Sequence, residues 1–126
     1  MSVSRVFACC LFAVAAAAAP AFAGDDHPAL DALIVQHASA NNVPEALVRR
    51  VILRESRYNP RAVSAGNYGL MQIRLGTARR LGYRGTWQGL LDADTNMTYA
   101  VRYLAGAYRA AHGNAALAVA LYQRGY

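Results

Sequence analysis

The chain has 126 residues, 56% of them hydrophobic and 16% charged, and its thirteen basic residues, all arginine, outnumber seven acids for a net charge of +6. So short a chain holds one small core, which excludes a multidomain enzyme, and the positive balance favours an anionic partner such as cell-wall polymer, membrane surface or nucleic acid. The two cysteines, Cys9 and Cys10, lie close to the start, leaving nothing for a disulfide framework or a thiolate metal site beyond them.

Residues 1–23 read as a secretory signal peptide. Arg5 supplies the positive lead, Val6 to Ala19 the apolar stretch, and Ala21-Phe22-Ala23 a small-x-small cleavage site before Gly24. The apolar stretch falls short of the roughly 20 residues that span a bilayer, and no later segment approaches that length, so no stable membrane insertion is expected after cleavage. Residues 24–126 then form one domain, exported and expected in a periplasm. Export argues against nucleic acid as the partner, and the arginines are scattered rather than clustered.

Leu30, Leu33, Ile34, His37 and Ala38 trace the spacing of an amphipathic helix that Asn41-Asn42 ends. His37 reads as a core-edge histidine or a ligand, with no second histidine at metal-binding spacing. Pro44 opens the next helix, since its fixed φ and missing N–H suit a first turn. On this helix Leu47, Val48, Val51 and Ile52 fall within roughly 80° of Glu55, so a carboxyl sits in the middle of the apolar stripe. Asn59-Pro60 must end the helix, which puts Glu55 in its last turn, where the macrodipole disfavours negative charge. Burial and dipole both favour the protonated carboxyl that a general acid needs. A core-edge glutamate bonded to backbone or paired with Arg54 is the competing reading.

From Asn59 to Leu75 the pattern is irregular, with Pro60, Gly66, Asn67 and Gly69 marking turns of an expected active-site loop. Gly66 and Gly69 permit positive φ or close backbone approach to a ligand, and Gln72 offers an amide that donates and accepts; from the residues alone, an ordinary turn with a surface glutamine is the reading to beat. Thr77 to Leu81 is a short helix closed by Gly82, and Trp87 in the following loop is either a sugar-stacking platform or a core plug. Asp92 or Asp94 caps the longest helix, with Met97, Ala100, Val101, Leu104 and Tyr108 on its buried stripe. Asn114 caps a last helix whose Leu117, Ala120 and Leu121 face inward, with Tyr122 to Tyr126 as its frayed end. The fold expected is all-α, a single domain of five or six helices with at most a small β element near residues 69–73.

Glu55-Ser56 at a helix end, Gly69-Leu70-Met71-Gln72 fourteen residues on, and Thr77-Ala78-Arg79 beyond them resemble the lytic transglycosylases with the soluble-transglycosylase (SLT) domain, relatives of goose-type lysozyme. The resemblance continues through Asp92, Asn96, Tyr99, Tyr103 and Leu104, and covers about residues 43–126. In the third motif, where the family usually has Ala-Tyr-Asn-Ala-Gly, this chain has Leu121-Tyr122-Gln123-Arg124-Gly125, and position 68 carries tyrosine where many members have a small residue. The resemblance implies Glu55 as the catalytic residue. It implies Ser56, Gly69, Leu70, Met71, Gln72, Tyr122 and Gln123 as supporting or substrate-binding residues, with the Tyr122 hydroxyl holding Glu55. The substrate implied is the glycan strand of peptidoglycan, with no cofactor and no metal.

Ordinary glycosidases use two carboxyl groups. The only other glutamate, Glu45, stands ten residues away, about 15 Å along the same helix, and Asp92 and Asp94 have a simpler role as caps. The resemblance supplies a mechanism that needs Glu55 alone, in which the muramic acid C6 hydroxyl attacks and a 1,6-anhydro ring closes. A goose-type lysozyme-like hydrolase, a non-catalytic wall-binding module and a basic membrane-active protein are the alternatives.

Overall fold

The structure, a computed structural model, describes residues 27–126, so the signal peptide expected over residues 1–23 lies outside the described residues. The architecture is mainly helical, as expected. Among the described residues, five helices, α1 (Pro28–Ala40), α2 (Glu45–Ser56), α3 (Leu75–Arg80), α4 (Ala93–Ala110) and α5 (Ala115–Arg124), accompany a 3₁₀ turn at Trp87–Leu91. Three two-residue strands, β1 (Val63–Ser64), β2 (Asn67–Tyr68) and β3 (Ile73–Arg74), form an antiparallel sheet in the order β1-β2-β3. The β element therefore begins earlier than expected and residues 69–72 are its second turn. The first turn, Ala65-Gly66, has positive φ at both residues, the geometry that matches a two-residue hairpin to strand twist, and Ala-Gly is a weak signal for it.

Helix α4 is the axis of the domain, packed against α5, α1 and the 3₁₀ turn. Its Met97, Ala100, Val101 and Leu104 are fully buried and meet Ile34 of α1 and Val48, Val51 and Ile52 of α2 in one core. Each such aliphatic side chain contributes about 1.5–3 kcal/mol on burial. Asp92 caps α4 by accepting from the Thr95 N–H at 2.9 Å. Asp94 does different work, since its Oδ1 lies 2.6 Å from His37 Nε2 and ties α4 to α1. His37 is thus a buried core-edge histidine with a carboxylate partner.

The last helix is rotated from the expectation. Ala118, Val119 and Tyr122 are buried, whereas Leu117 is 41% exposed and Ala120 is exposed. The cause is Tyr122, whose hydroxyl donates to the Met71 carbonyl at 2.6 Å and whose ring packs on Tyr103. One buried aromatic with a satisfied hydroxyl outweighs one leucine in setting the rotation of a short helix. The tail beyond it is held as well, with Tyr126 stacked on Tyr103 and its hydroxyl donating to the Tyr103 carbonyl at 2.7 Å.

Candidate active site

Helix α2 delivers Glu55. Leu47, Val48, Val51 and Ile52 are buried as the stripe requires, but Glu55 itself is half-buried. At its last turn the stripe runs past the core, and the carboxyl lines an open cleft of about 530 Å³ instead of entering the apolar interior. The helix stops because Arg57 and Tyr58 both take left-handed φ, one turn before Pro60. Ser56 fixes this end, its hydroxyl donating to the Leu70 carbonyl at 2.7 Å.

The loop from Gly69 to Gln72 forms the opposite support. Asn96, fully buried on α4, accepts from the Met71 N–H at 3.0 Å and donates to the carbonyls of Tyr68 and Leu90 at 2.8 and 2.9 Å. All its amide hydrogens and its oxygen are thereby used. Gly69 has φ +74, and a Cβ there would stand 2.3 Å from both Asn96 Nδ2 and the Leu90 carbonyl. The close approach expected of Gly69 is therefore to the chain's own clamp and not to a ligand. Leu70 and Met71 are fully buried and anchor the loop in the core.

Gln72 adopts a positive φ of 51°, uncommon for a residue with a side chain. Its own amide braces that conformation, donating from Nε2 to the Ala62 and Gly69 carbonyls, both at 3.0 Å. With both amide hydrogens spent, Gln72 offers a ligand only its Oε1, an acceptor, where its residue type alone allows donation too.

Glu55 and Gln72 line the same cleft, together with Tyr122 and Gln123 from α5. The partner of the carboxyl is Gln123, whose Nε2 donates to Glu55 Oε1 at 3.0 Å. The role expected of the Tyr122 hydroxyl is thus taken by the next residue. The Tyr122 phenol is held well above its ordinary range by burial first, then by the nearby Glu55 charge and Tyr103, so it stays a neutral donor to Met71.

Among the described residues, Glu55 is the only acid lining the cleft. Asp92 is engaged with Thr95, whose N–H and hydroxyl pull its carboxyl below the usual range, and Asp94 with His37. Trp87 is neither core plug nor part of the cleft wall; it is 38% exposed and stacks on Tyr68 at 5.3 Å. Sequence reasoning gave no role to Asn96, although a polar residue at i−4 from Ala100 interrupts the α4 stripe by the same rule that singled out Glu55. It also gave none individually to Asn67, Arg74, Thr77, Arg80, Tyr103 and Arg124, which line the cleft as well. Compared with known families, the chain matches the model of the Transglycosylase SLT domain over residues 32–126.

Proposed function

The chain belongs to the Transglycosylase SLT domain family of peptidoglycan-acting enzymes, and on that premise we propose that it cleaves the β-1,4 bond between N-acetylmuramic acid and N-acetylglucosamine with formation of a 1,6-anhydro end. The observation that carries this reading is the solitary carboxyl in the cleft. Hydrolysis with a second carboxyl group needs it about 6.5–9.5 Å from the first to activate water, or about 5–5.5 Å away to act as nucleophile, and no other acid lines the cleft among the described residues.

In the proposed reaction Glu55 gives its proton to the glycosidic oxygen as the C1–O bond breaks, while the substrate's own acetamido oxygen stabilises the cation developing at C1. Glu55, now a carboxylate, takes the proton of the muramic acid C6 hydroxyl as that oxygen bonds to C1, and the acid is regenerated without consuming water. A tethered hydroxyl has a large effective-concentration advantage over solvent. Gln123 donates to Oε1 and so reserves Oε2 to carry the proton that is transferred. Gln72, with only an acceptor to offer, suits an acetamido N–H or a sugar hydroxyl. Ser56 and Asn96 act indirectly by locking the α2 end and the Gly69–Gln72 turn in register. We place the reaction in the periplasm, on the strength of the signal-like residues 1–23.

Clearing of purified wall tests the role of Glu55. The Glu55→Gln variant keeps its fold and loses at least the roughly 10²- to 10⁴-fold contributed by general acid–base catalysis; near-normal clearing by that variant removes Glu55 from the role.

A further inference from the structure

Three arginines line the cleft from three elements. Arg74 stands on β3, Arg80 in the last turn of α3 and Arg124 in the last turn of α5, and all three line the cavity that holds Glu55. Each is exposed, and among the described residues none forms an ion pair with an aspartate or glutamate. Helix-end placement stabilises a cation at positions 80 and 124 by about 0.3–1 kcal/mol. That accounts for arginine on those two turns but not for both sharing a wall with Arg74, which sits at the N-cap of α3, where a cation gains nothing from the dipole. Three like charges around one hollow repel one another, and an anionic ligand relieves that repulsion.

We propose that Arg74, Arg80 and Arg124 form a subsite for a carboxylate of the peptide stem carried by the glycan, making the cleft selective for peptide-bearing wall over stripped glycan and neutral chitin-like chains. This rests on the glycan-cleaving reading above. The sugar backbone that reading assigns to the cleft is uncharged wherever a stem is amide-linked to the muramic acid lactyl group, so in peptide-bearing wall the anion these arginines meet comes from the stems. Guanidinium suits the task because its planar fork matches a carboxylate in two parallel hydrogen bonds. Among the described residues Glu55, half-buried and tied to Gln123, is the single acid lining the cleft with them.

The test uses the full chain carrying Glu55→Gln, so that the ligand is not consumed. Binding is measured to intact wall, to wall freed of its stems by an amidase, which uncovers one lactyl carboxylate on each muramic acid, and to chitin, at low salt and at about 1 M salt, where the screening length shrinks to about 3 Å. The expected result is roughly tenfold tighter binding to intact wall, as three partly exposed ion pairs provide, with the preference collapsing at high salt. Replacing Arg74, Arg80 and Arg124 by alanine in the same background, with folding checked by circular dichroism and each single variant run alongside, erases the preference. Equal binding to intact and stripped wall, or a preference that survives the triple replacement, overturns the proposal. The reaction is judged separately, from the products of the chain that keeps Glu55, so failure of one reading is distinguishable from failure of the other.

Discussion

Gln123 Nε2 donates to Glu55 Oε1 at 3.0 Å, joining the last turn of α5 to the last turn of α2 across 68 residues of sequence. The pair makes α5 part of the acid's own support. An amide at this position can only donate through nitrogen, so the carboxyl oxygen it touches is kept as an acceptor and the other is free to exchange a proton with substrate.

Replacing Gln123 by alanine should therefore lower kcat roughly tenfold or more, the rate equivalent of losing one hydrogen bond to a charged group, with little change in KM. The melting temperature should hold, because the side chain is exposed. Steady-state kinetics on soluble glycan fragments check this. A raised KM with unchanged kcat would assign Gln123 to substrate binding instead.

The Tyr122 hydroxyl has the opposite signature. It is buried and bonded to the Met71 carbonyl, so Tyr122→Phe leaves an unpaired carbonyl and should cost about 1–2 kcal/mol. For a domain of this size that lowers Tm by about 5 °C or more. Loss of turnover with no loss of Tm would return Tyr122 to the role of holding the acid.

Gly69 is fixed by its neighbours. A Cβ at φ +74 would collide with Asn96 Nδ2 and the Leu90 carbonyl, so Gly69→Ala should destabilise the fold by about 2 kcal/mol or more. Asn96→Ala strands the Met71 N–H and two carbonyls and should cost about 3 kcal/mol. The double variant should lose less than the sum, since both act on one contact. Denaturant titration of the four proteins reads the coupling, and strict additivity would contradict the clamp.

Much of this arrangement is legible in the sequence because it follows from local rules. Glu55 breaks the apolar stripe of α2, Asp92 and Asn114 stand where helices need caps, and the buried faces of α1, α2 and α4 follow helical spacing. What is not legible depends on partners distant in the chain. Glu55 is less buried than its stripe predicts, because a helical wheel does not say where the core stops. The rotation of α5 followed Tyr122, whose value lies in a carbonyl 51 residues away. Trp87 settles on Tyr68 through the sheet turn, which no periodicity encodes. Gln72 became acceptor-only through Ala62 and Gly69, and no residue type announces which of its hydrogens are already spent.

Asp92 sets a pH signature. Its carboxyl is lowered from an ordinary 3.8 by the Thr95 N–H and hydroxyl. A depressed folded value means that its stabilisation is fully present above the unfolded value and is lost as pH falls through the folded one. Asp92→Ala should cost about 1 kcal/mol near neutrality, and its melting curve should converge on that of the unaltered chain in acid. Asp92→Asn, which caps as well, should keep most of the stability and lose the pH dependence. A cost for Asp92→Ala that persists unchanged well below the ordinary value would contradict the assignment.

The central claim is that one carboxyl does both proton transfers and an intramolecular hydroxyl does the attack, and mass analysis of muropeptides released from purified wall tests it most directly. The expected products end in anhydromuramic acid, lack a reducing end and are one water lighter than hydrolytic products, with none released by Glu55→Gln. Spectra dominated by reducing-end muramic acid, with turnover abolished in Asp92→Asn or Asp94→Asn, would contradict the account and establish a two-carboxylate hydrolase.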